Sequence, residues 1–205
     1  INPEEIESRY FGVLSKLFNV ARFASQFEVP TNLDDTPDNL KIEDLWILNE
    51  FGKLLEKVKK SWQAIDIYNA TQAIKTFGTG ILASHYLEMV KRRLYDDDDA
   101  AAWTIHRIVR DLMTVFSPVC PLFTHHISST IYGTSSVDIR SHPEPIEITF
   151  EGDSDTTEEI ISFNAMVWKA KADAGTSLAA PITGIEIPDK ISKFSKVLSS
   201  MHNIE

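Results

Sequence analysis

Residues 86–99 read YLEMVKRRLYDDDD, so Lys91, Arg92 and Arg93 stand just before Asp96, Asp97, Asp98 and Asp99. Adjacent cations can hold a phosphate, and they can equally complement the C-terminal end of a helix while aspartates begin the next one. A second group lies upstream. At about 100° per residue, Trp46, Asn49, Lys53, Lys57 and Lys60 share a helix face away from the apolar stripe. An aromatic ring, an amide and lysines are the equipment for single-stranded RNA: the ring stacks on a base, the amide reads an edge and the lysines hold phosphate. The same pattern also fits a solvated lysine face with Trp46 packed against the 28–41 loop. Asn19 and Arg22, three residues apart in NVARF, add an amide and a guanidinium off the buried arc of the first helix. Arg22 can fork onto a phosphate or base, or pair with a carboxylate of the bundle.

No catalytic signature accompanies these groups. The chain has no G-x-x-x-x-G-K-S/T loop, no G-x-S-x-G elbow and no H-E-x-x-H pair. Cys120, His125 and His126 lack a recognised metal-ligand spacing, and adjacent helical residues point about 100° apart. No metal site is expected.

The elements that must position these side chains are helical. Apolar spacings of three and four predict helices over Glu4–Phe27, Asp44–Ile65, Tyr68–Leu94 and Ala100–Phe116. Gly78 and Gly80 interrupt the third, marking a kink or a close helix contact. Pro118 and Pro121 break the fourth from a shorter fifth that ends at Tyr132-Gly133. Beyond it, PIEITFEG alternates like a strand, TTEEIISFNAMVWKAKADAG reads as a helix, ITGIEIP as a short strand and DKISKFSKVLSSM as a final helix. The expected fold is mainly α. A bundle of about five helices (1–133) is followed by a small α/β C-terminal subdomain (134–205).

Composition sets further limits. Twenty Lys plus Arg against thirty Asp plus Glu give a net charge of −10, which argues against whole-surface binding to nucleic acid but leaves room for a local basic face. No apolar run is long enough to cross a bilayer, and the acidic N-terminus lacks the features of a signal peptide. One cysteine fits a reducing, cytoplasmic setting, and the missing initiator Met fits a piece of a longer chain.

The segments together resemble a known pattern. KLFNVARF (16–23), IEDLWIL (42–48), IDIYNATQAI (65–74), HYLEMVKRRLY (85–95) and FSPVCPLFTHHISSTIY (116–132) are similar, in order and spacing, to the anticodon-binding helical bundle of class I aminoacyl-tRNA synthetases for valine, isoleucine and leucine. WKAKADAGTSLAAPITGIEI and the closing MHNIE resemble the C-terminal piece of archaeal-type valyl-tRNA synthetases, with isoleucyl enzymes the runner-up. There are departures. Phe18 stands at a Trp or Tyr position, His125 and His126 replace two glutamates, and His142 replaces a Trp.

The resemblance implies a tRNA-binding surface made by Asn19, Arg22, Phe23, Trp46, Asn49, Lys53, Lys91 and Arg93. On the helical wheel Lys91 faces outward and suits phosphate, whereas Arg93 lies within the apolar arc and suits a cap or a pair inside the bundle. The aspartates then start the next helix, outside the RNA footprint. The implied partners are the tRNA anticodon stem-loop and a catalytic domain of the same polypeptide, with no membrane and no DNA. ATP and Mg would serve the full-length ligase and no cofactor this region, because H-I-G-H and K-M-S-K-S segments are absent here. The competing class is a protein-interaction bundle whose charges are all solvated.

Overall fold

The computed structural model describes residues 11–136 and 140–205. The predicted start of the first helix lies outside these residues.

Helix α1 (Gly12–Ala24) buries Leu17, Val20, Ala21 and Ala24. A polar loop leads to α2 (Ile42–Gln63), where the Asp44 carboxylate accepts from the Lys41 N–H at 3.0 Å and so satisfies one free donor of the first turn. Helix α3 (Ile67–Lys75) starts on Asp66, whose side chain accepts from the Asn69 N–H at 3.0 Å. Between the two, Ile65 takes φ +58°, and the Asp66 N–H reaches the Ser61 carbonyl at 2.8 Å, so α2 ends in a left-handed Schellman-type turn.

The predicted single helix over 68–94 is three consecutive pieces: α3, a π-helical stretch (Thr76–Tyr86) and α4 (Leu87–Tyr95). Gly78 sits in the wide turns. A Cβ there would fall 2.6 Å from Leu17 Cδ2, so the glycine marks a close approach of α1. Helix α5 (Asp99–Phe116) is capped by Asp98, which accepts from the Ala101 N–H at 3.0 Å, and it is buried on most of its surface. Pro121 opens α6 (Pro121–Tyr132), and Gly133 at φ +62° closes it.

The C-terminal part corrects the expectation of an α/β unit. Helix α7 (Thr156–Asp173), a 3-10 turn (Asp189–Phe194) and α8 (Ser195–His202) are present, but the described residues contain no strand. Only one isolated parallel bridge, Ile182 with Ile204, joins extended segments. PIEITFEG alternates because an extended chain lies along the helices. Ile146, Ile148 and Phe150 turn onto the core, while Glu147 and Thr149 face solvent. Period-two hydrophobicity reports one-sided burial, and it does so whether or not a neighbouring strand exists. The buried side chains form one cluster from Leu17 to Leu198, in which α8 packs on α4.

Candidate nucleic-acid interface

Arg93 answers the question raised by the KRRLYDDDD run. Its guanidinium reaches Glu43 at 2.7 Å, Asp44 at 2.8 Å and Asp98 at 3.0 Å, with only 13% of its side chain exposed. Asp44 also accepts from the buried Tyr86 hydroxyl at 2.8 Å, and Lys41 Nζ closes on Asp98 at 2.6 Å. Burial alone would weaken the Arg93 charge. Hydrogen bonds to Asp44 and Asp98 outweigh it and raise its pKa further. Burial would likewise raise Asp98, but hydrogen bonds from Arg93, Lys41 and the Ala101 N–H hold its carboxyl well below the usual range. Glu43, where desolvation dominates, is raised. Arg93 is therefore committed to three carboxylates, and its expected role at RNA is corrected to that of a clamp between α2, α4 and the start of α5. Asp98 belongs to that clamp as well as capping α5.

Trp46 is the second correction. Its ring is fully buried, its indole N–H donates to Thr157 Oγ1 at 2.9 Å, and it meets Phe194 edge-on with centroids 6.3 Å apart. The helical wheel placed it off the main stripe correctly, but α7 and the 3-10 turn cover that side. No base can stack on a ring so enclosed. Phe23 is half-buried, edge-on to Phe27 and Tyr95 at 5.2 and 6.2 Å, and ties α1 to the end of α4.

The remaining expected residues reach the surface in separate places. Asn19 and Arg22 are exposed on α1. Lys91 is half exposed on α4, with Glu88 at 3.7 Å. Asn49 is half-buried beside Glu50, which also pairs with Lys53 at 2.7 Å. Lys53 lines a groove of about 280 Å³ between α2 and the α3–π segment, together with Glu50, Lys57, Asn69, Gln72 and Thr76. Asn19 and Arg22 do not line that groove. Asn69 and Gln72, which line this groove, were not among the expected residues because IDIYNATQAI reads first as a helix start.

His125 and His126 are exposed and Cys120 is half-buried. Among the described residues, no cluster of three His, Cys, Asp or Glu side chains could hold a metal. No described helix is long and apolar enough to cross a membrane.

Residues 44–187 match the family model described as the anticodon-binding domain of tRNA ligase. The chain is 33% identical over 173 residues to a valine--tRNA ligase of Saccharolobus solfataricus, covering 83% of this chain and 20% of that protein. It is 31% identical over 201 residues to the valine--tRNA ligase of Aeropyrum pernix, covering 92% and 24%. With the valine--tRNA ligase of Methanothrix thermoacetophila it shares 33% over 176 residues, covering 84% and 19%. The chain thus spans about a fifth to a quarter of the length of these relatives. Matched by that family model across residues 44–187, most of its length, the chain belongs to the family of anticodon-binding domains of tRNA ligases.

Proposed function

We propose that this chain is the tRNA-reading part of a cytoplasmic valine--tRNA ligase. It holds the anticodon stem-loop of the valine tRNA while a catalytic domain of the same polypeptide joins valine to the other end. The observation that carries this reading is the similarity to valine--tRNA ligases through 83–92% of the chain. The geometry supports it. Once the Arg93 clamp is set aside, Arg22, Lys53, Lys57, Lys60 and Lys91 remain exposed cations on a protein of net charge −10. Of the residues first expected at the RNA, Asn19, Arg22, Asn49, Lys53 and Lys91 stay in this reading.

ATP and Mg would serve the catalytic domain, the part that would carry the H-I-G-H and K-M-S-K-S segments not found in this sequence. The alternative of an isoleucyl enzyme is not favoured by relatives that are valine--tRNA ligases.

Titrating this chain with valine tRNA and with the same tRNA carrying an exchanged anticodon tests the reading. Binding that prefers the native anticodon and weakens steeply with salt is expected, because lysine–phosphate contacts release counterions. Equal, anticodon-blind binding of both, or none at low salt, would overturn it.

A further inference from the structure

With Trp46 enclosed, the α2–α3 hairpin supplies a different aromatic. Tyr68 is 71% exposed in the first turn of α3, beside Ile67 at 56% and Ile65 at 83%. Helical spacing puts Tyr68, Gln72 and Lys75 on one face. The adjoining groove is lined by Lys53, Lys57, Asn69 and Gln72. Glu50 neutralises Lys53, and the Asn69 amide nitrogen is held by Asp66 at 2.6 Å. Among the described residues Lys57 and Lys75 have no ion-pair partner, so the rim carries surplus positive charge.

The backbone gives a second, independent observation. Ile65 is a β-branched residue at φ +58°, where glycine is the cheap choice, and its side chain gains almost no burial in return. Strain and exposed apolar surface held together at one hairpin tip are costly to the isolated fold, a combination that collects at binding sites.

We propose that Tyr68 is a stacking platform for an unpaired nucleotide of the bound RNA. Gln72 meets that base's edge, and Lys57 and Lys75 meet the adjoining phosphates. The proposal rests on the tRNA-binding reading and names the nucleotide site within it. The occupant is single-stranded nucleic acid and not an apolar peptide, because the aromatic is bordered by amides and free lysines.

The test uses this chain and an anticodon stem-loop hairpin of the valine tRNA, with binding followed by fluorescence anisotropy of the labelled RNA. Tyr68→Ala should weaken binding about ten-fold, and Tyr68→Phe, which keeps the stacking face, should retain wild-type affinity. Lys57→Ala should lower the salt slope by about one with base preference unchanged. Far-ultraviolet circular dichroism and the melting temperature of each variant check folding; at 71% exposure Tyr68→Ala should leave both near wild type. If wild type binds the hairpin and Tyr68→Ala binds equally well, the platform is overturned and the tRNA-binding reading stands. If wild type fails to bind at low salt, the tRNA-binding reading itself falls.

Discussion

Two aromatic residues on neighbouring helices have opposite fates, and the reason is what arrives from a distance. Trp46 is covered by Thr157 and Phe194, more than a hundred residues downstream, whereas Tyr68 stays 71% exposed. Trp46→Ala should therefore cost about 3–5 kcal/mol of folding stability, as truncation of a buried Trp does, measured by urea unfolding. A loss below about 1 kcal/mol would contradict the buried placement. Ile65 allows the opposite experiment. Glycine at this left-handed position removes strain of about 1–2 kcal/mol, partly offset by glycine's greater freedom in the unfolded chain. Ile65→Gly should raise the melting temperature, and a lower one would show that the isoleucine side chain holds the turn. At this scale polarity was legible: the aspartate run 96–99 reads as a helix start, and Asp98 is the cap of α5. The sequence could not reveal burial supplied by a remote segment, and so Trp46 was misplaced.

Elements are held in register by the Arg93 clamp. Three carboxylates from two other parts of the chain meet one guanidinium, and Asp44 is completely buried. Removing the cation leaves those carboxylates facing each other without compensation. Arg93→Met should destabilise the protein by about 3–5 kcal/mol, the range for breaking a buried pair on one side. Lys91→Ala, two residues away and half exposed, should change stability by less than about 0.5 kcal/mol. Equal effects at both positions would show that Arg93 is no more than a surface charge. Helix periodicity made the α-helices themselves legible, and it hinted at Arg93 by placing the residue inside the apolar arc. The wide π-helical turns and the extended segments were not legible. Glycine signals an interruption without giving its geometry, and alternation signals a buried side without naming what lies against it.

At the scale of the whole molecule, a buried polar chain joins the C-terminal segments to the bundle. His202 Nε2 donates to Asn164 Oδ1 at 2.7 Å, and Asn164 Nδ2 donates to His85 Nδ1 at 3.0 Å in the π-helical stretch. His85 stacks on Trp168 with centroids 5.4 Å apart. Beside them Lys171 Nζ, almost completely buried, donates to the carbonyls of Leu178 and His202, each at 2.7 Å, and burial lowers its pKa. This order of donors needs His85 unprotonated at Nδ1, since a proton there would face the Asn164 amide N–H, whereas the His202 Nε2–H donates in either charge state and it is burial that opposes its protonation. Burial depresses His202 to about 4, helped by the Lys171 charge, and burial lowers His85 also. In the unfolded chain the histidines keep the ordinary value near 6.5. Between pH 6.5 and 4 the unfolded state thus binds more protons, so stability must fall as pH falls through that window. For His202 the loss reaches about 3 kcal/mol at pH 4. Asp98, with its depressed carboxyl, contributes only below about pH 4, so the two effects separate. Urea unfolding at pH 7, 5.5 and 4.5 should show this loss, and His202→Gln should flatten the dependence even though it lowers stability at pH 7. An unchanged slope in that variant would assign the acid sensitivity to other histidines, such as the buried His106, and would remove His202 as the point where pH reaches the junction between the C-terminal helices and the bundle.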